Sequence, residues 1–167
     1  MAILANLTDI DYDELGLPST KDIHMNITGS HKIVVKAPIK DVFEKFNDPN
    51  MQREWVVQPY ALRDYTPPLE KGCTYTVTGK FMRKPSEFTY EVVEFNLPTK
   101  LVLKLKGSGT GLITIIFKEI KDGTEVDFGF NRDFTAWLTS YTALDIHNAL
   151  YNITEADFNS FKAFIEG

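Results

Sequence analysis

The chain has a single cysteine, Cys73, so no internal disulfide can form and no thiolate cluster can hold a metal. Its three histidines, His24, His31 and His147, never stand three or four residues apart, so their spacing argues for no metal site. No apolar run reaches the roughly 18 residues of a membrane span. The first 30 residues lack the basic-then-apolar pattern of a secretory signal, so a soluble, cytoplasmic protein is expected. Positive charge is scarce: 18 Lys and Arg against 23 Asp and Glu give a net charge of −5, which repels a phosphate backbone and excludes nucleic acid as the expected partner. Sequons at Asn6, Asn26 and Asn152 mean nothing without export.

Size and aromatics are what the chain does have. Its 167 residues suit one domain and allow roughly 70% of the unfolded surface to be buried. Aromatic residues make up 13%, twelve of them Phe, which supplies an unusually ring-rich core.

Residues 1–30 read as an N-terminal arm, acidic at Asp9, Asp11, Asp13 and Glu14 and broken by Gly16, Pro18 and Gly29. The alternating aspartates fail as a calcium loop, because Glu14 stands where glycine is needed and Thr20 where the closing glutamate is needed. Ile3, Leu4, Leu7, Ile10 and Leu15 give the arm an apolar surface for docking on the domain or on a second copy, which leaves a homodimer open. From residue 31 to 37 a β-branched strand runs up to Pro38, and Ile39, Val42, Phe43 and Phe46 follow at helical spacing until Asp48-Pro49. A second short helix is expected over residues 50–57, with Trp55 turned inward.

The period then changes to two. Strands are expected over 74–82, 88–95, 101–106, 112–120 and 124–130, separated by turn residues, and they form an antiparallel meander. Tyr75/Val77/Phe81, Leu101/Leu103/Leu105, Ile113/Ile115/Phe117 and Val126/Phe128/Phe130 put apolar side chains on one face, which something must cover. Past Gly129 neither Gly nor Pro occurs before Gly167, and Thr142-x-x-Asp145 and Thr154-x-x-Asp157 both read as helix starts. One helix from Thr142 or two broken near Asn152 both fit. His147, Tyr151, Phe158, Phe161 and Ile165 form its expected inward stripe.

Five segments in order carry a resemblance: Ile33 to Phe43, a strand-Ala-Pro-helix opening; Asp48-Pro49 with Trp55; Leu69 to Gly72; Val93 to Leu101, a strand-Pro-strand corner; and Asp122 to Val126, a closing hairpin. Together they resemble the START-like or SRPBCC superfamily, which includes birch-pollen-allergen-like and polyketide cyclase/dehydrase-like proteins, over about residues 31–167. The resemblance implies an α+β helix-grip fold. In that fold a curved antiparallel sheet of six to seven strands surrounds a C-terminal helix, with two short helices after the first strand. It also implies a cavity for a small hydrophobic, aromatic or lipid-like ligand, with no cofactor.

Within that frame the expected ligand-binding residues are Trp55, Tyr75, Phe81, Tyr90, Phe117, Phe128, Tyr141, His147 and Tyr151. His147 is the weak catalytic candidate, because its unperturbed pKa lies near neutrality. Arg132-Asp133 reads as a surface ion pair or a charge at the cavity mouth, and Cys73 as an inert thiol. The run Gly107 to Gly111 reads as a hairpin rather than a phosphate cradle, because no Gly-Lys-Ser/Thr follows it. Trp55 and Trp137 are expected to pack the two ends of the core. Three functions fit: binding of a small apolar ligand, a cyclase, aromatase or dehydratase acting in the same cavity, and an interaction module resembling activators of a chaperone ATPase.

Overall fold

A computed structural model describes residues 25–134 and 141–167. The arm up to His24 and Trp137 lie outside the described residues. Strand β1 (Asn26–Val35) begins five residues earlier than the β-branched run suggests and pairs antiparallel with β7 (Gly123–Asp133) along its whole length. Helix α1 (Ile39–Asn47) starts at Pro38, whose extended backbone makes it the N-cap and whose carbonyl accepts the Val42 N–H at 3.0 Å. The helix stops at Asp48, whose carboxylate accepts the Asn50 N–H at 2.8 Å and turns the chain. The expected second helix is a single 3₁₀ turn, Met51–Glu54.

The meander follows as β2 (Ala61–Arg63), β3 (Thr74–Phe81), β4 (Lys84–Asn96), β5 (Lys100–Gly107), β6 (Thr110–Ile120) and β7. The sheet order is β1-β7-β6-β5-β4-β3-β2, all neighbours antiparallel. In β4 the register slips between Val92 and Glu94, a bulge that bends the strand and switches its inward parity from Phe88, Tyr90 and Val92 to Phe95. The β5–β6 hairpin is anchored by Ser108, whose hydroxyl accepts the Glu87 N–H and whose N–H donates to the Glu87 carbonyl, both at 2.8 Å. Gly107 has φ +112° there, and a Cβ would stand 2.3 Å from the Glu87 carbonyl oxygen, so only glycine fits. The glycine run is therefore a hairpin.

One helix closes the fold: α2 (Ala143–Glu166) runs unbroken through Asn152. Its start is a reciprocal cap, Asp145 N–H donating to Thr142 Oγ1 and Thr142 N–H to the Asp145 carboxylate, each at 3.1 Å. The second start signal does not act as one, because the Asp157 carboxylate instead accepts the Val57 N–H at 2.9 Å from the far loop. Near the helix end, Lys162 donates to the Val34 carbonyl at 3.0 Å, and the Lys36 N–H donates to Glu166 at 2.8 Å. No helix among the described residues is long and apolar enough to cross a membrane.

Two helices share the concave face. The rings of α1, Phe43 and Phe46, pack edge-on against Phe117 at 4.9 and 5.8 Å. Phe46 is also stacked on Trp55 at 5.2 Å and set edge-on to Phe158 and Phe161. Where α2 crosses the other end, the packing does not close.

Candidate ligand cavity

Between the sheet and α2 lies a cavity of about 240 Å³. Its floor is built from inward positions of four strands: Tyr75 and Val77, Tyr90, Leu103, and Ile113 and Ile115. Phe128, Phe130 and Arg132 of β7 form one side, and Leu150, Ile153, Asp157 and Phe158 of α2 form the roof. Trp55, Val56 and Tyr60 close the end next to α1. A second chamber of about 180 Å³ shares Tyr90, Arg132, Ile153 and Asp157 with the first and is walled further out by Phe81, Ser86 and Phe88. Beyond it an open groove of about 1000 Å³ runs along Pro59, Lys80, Met82 and Arg83.

Of the nine expected ligand-binding residues, Trp55, Tyr75, Tyr90 and Phe128 line the inner cavity and Phe81 the outer chamber. Four stand elsewhere. Phe117 is 2% exposed but lies under α1, against Phe43 and Phe46 and away from the void. Tyr141 is committed to the β3–β4 turn, its hydroxyl donating to the Met82 carbonyl at 2.7 Å. His147 and Tyr151 are exposed and border a 40 Å³ niche beside Gly29 and His31 of β1. Of the expected stripe Phe158 and Phe161 are buried, whereas in the first half of α2 the inward residues are Ile146, Leu150 and Ile153, one position before His147 and one before or two after Tyr151. One residue is about 100° of helix rotation, enough to move an imidazole from the cavity to solvent. His147 therefore does not reach the cavity from this position, and its part as an acid or base there is not supported.

The polar atoms in the walls were mostly hidden in the sequence. Arg132 is not a surface ion pair: β7 continues past Phe130, and Arg132 falls on the same inward parity as Phe128 and Phe130. Its guanidinium carbon lies 4.8 Å from the ring centres of both Phe88 and Phe134. Its Nε is buried without a hydrogen-bond partner. Burial lowers the pKa of this guanidinium, opposed by the nearby Tyr90. Tyr90 and Tyr75 stack at 5.2 Å with rings 13° apart, and burial raises both phenols above their usual value. Tyr60 donates to the Pro49 carbonyl at 3.0 Å and is pushed up to about 12 by burial. Asp157 is raised by burial as well, against the lowering effect of its Val57 hydrogen bond. Cys73 has its thiol pushed up by burial, which disfavours the thiolate. Among the described residues no three His, Cys, Asp or Glu side chains gather to hold a metal.

No protein-family model matches the sequence, and no curated protein matches it. Solved structures do. An uncharacterised protein from Rhizobium leguminosarum superposes with TM-score 0.66 at 18% identity, over 86% of this chain and 97% of that one. Ara h 8.0201 gives TM-score 0.65 at 9% identity, over 84% of this chain and 97% of its own. DynU16, from the dynemicin biosynthetic locus, gives 0.60 at 14% identity, with 83% of this chain matching 47% of that longer one. With its seven-stranded antiparallel sheet curved around α2, the chain has the helix-grip fold, shared with these structures.

Proposed function

We propose that the protein binds a small hydrophobic or aromatic molecule in the cavity between the sheet and α2. The observation that carries this reading is the void itself. Protein interiors pack as tightly as organic crystals, and a void forfeits the dispersion contacts of every atom lining it. Here about 240 Å³ stays open beside a cluster of edge-on rings, Phe43, Phe46, Phe117 and Phe161. Rings were available to fill it and did not. The walls are apolar and aromatic with a few polar groups, Tyr75, Tyr90, Arg132 and Asp157, which is the composition of a site that orients its ligand. The outer chamber and open groove supply a route inward beside the β3–β4 turn.

The test is a titration of the full chain with N-phenyl-1-naphthylamine, an uncharged apolar fluorophore. Saturable one-to-one binding with strongly enhanced emission is expected. Absence of saturation across the probe's soluble range would overturn the proposal.

A further inference from the structure

Arg132 brings to the cavity wall a fixed positive charge that a purely apolar ligand would leave unmet. Resting on the proposal that the cavity holds a ligand, we infer that this ligand is an acid, an aromatic or apolar molecule with an anionic oxygen that docks on the Arg132 guanidinium. The ring centres of Phe88 and Phe134 each lie 4.8 Å from the guanidinium carbon, and its N–H edge is what a ligand in the cavity can meet. That edge is a fork of parallel donors matched to a carboxylate or similar planar anion. Its Nε has no acceptor. Among the described residues the only ionisable group acting on it is Tyr90, a phenol that burial keeps in its neutral form. Asp157 stands in the same walls but is turned to the Val57 N–H. Arg132 is half-buried and its guanidinium stays charged, and leaving its buried Nε–H unpaired is costly. The two ring contacts offset part of that; an anionic oxygen in the cavity would offset the rest.

The test compares two probes that share one arylamine frame, N-phenyl-1-naphthylamine and its sulfonated analogue 1-anilinonaphthalene-8-sulfonate, on the full chain. The sulfonate should bind about tenfold more tightly or better, the scale of a charge-assisted hydrogen bond. Arg132→Met should abolish that preference, and Arg132→Lys should keep part of it. If Arg132→Met does not fold, the preference of the unaltered chain and a shift of the Arg132 Nε–H resonance on adding the sulfonate decide instead. Equal affinity for the two probes, or a sulfonate preference that survives Arg132→Met, would overturn the inference and leave the apolar cavity standing. Failure of both probes to bind would overturn both.

Discussion

Strand β5 offers an internally controlled test of the cavity. Leu101, Leu103 and Leu105 point to the same face and are 1%, 5% and 1% exposed, yet only Leu103 borders the void. A larger side chain in a filled core costs about 1–3 kcal/mol in strain. For Leu101→Phe and Leu105→Phe that cost should appear in full, lowering Tm by roughly 2–4 °C per kcal/mol in a chain of this size. Leu103→Phe should behave oppositely. At about 24 cal/mol per Å³ of void, 240 Å³ represents at most about 6 kcal/mol of forfeited packing. A phenyl ring fills a fraction of it, so the expected change runs from no loss to a gain of about 1 kcal/mol. The same ring should cut N-phenyl-1-naphthylamine affinity by about tenfold or more, a loss of about 1.4 kcal/mol. Thermal unfolding and fluorescence titration of the three variants make the measurement. If Leu103→Phe destabilises as much as its two neighbours, no usable void exists at that position.

Phe46 touches Trp55, Phe117, Phe158 and Phe161 at once, so Phe46→Ala should cost about 3–5 kcal/mol in denaturant unfolding. Thr142→Ala removes the hydroxyl half of the α2 cap and should cost about 1 kcal/mol. The Thr142 hydrogen bonds hold the Asp145 carboxyl below its usual range. Its contribution should therefore be present above about pH 4 and fade as pH falls through the lowered value, a dependence that Asp145→Asn should abolish. Asp157 has the opposite sign: burial raises its pKa, so its charged form opposes folding at neutral pH, and that opposition fades as pH falls toward about 4. Asp157→Asn, which keeps an oxygen for the Val57 N–H, should raise Tm at pH 7 with the gain shrinking at low pH; a lower Tm at pH 7 would contradict this.

The fold was largely legible in the sequence because its main signals are local. Pro38 opens α1, Asp48-Pro49 ends it, and alternation along β3, β5, β6 and β7 turns one apolar face inward. Two features escaped because their causes are remote: three-residue β2 exists by pairing with Thr76 to Thr78, and the bulge in β4 by pairing with β5. The site was legible only in part. Strand alternation puts Tyr75 and Phe128 on the inward face, where they line the cavity, whereas a helical stripe must be phased to within one residue, and the tail's aromatics fit two phases. His147 fell on the wrong one. Arg132 reads in the sequence as a surface ion pair or a charge at the cavity mouth; extending the Val126, Phe128, Phe130 parity by one step puts it in the cavity wall. Asp157 was read as a helix start because nothing local reveals the Val57 N–H one hundred residues away.

Methyl resonances on the two faces of the sheet test ligand binding in the cavity most directly. On adding N-phenyl-1-naphthylamine to methyl-labelled protein, Leu103, Ile113, Ile115, Leu150 and Ile153, which line the cavity, should shift together along one saturable curve. Val34, Leu112 and Ile116, 46%, 46% and 45% exposed on the opposite face, should stay still. Shifts confined to those exposed methyls, or spread evenly over both faces, would contradict binding between the sheet and α2.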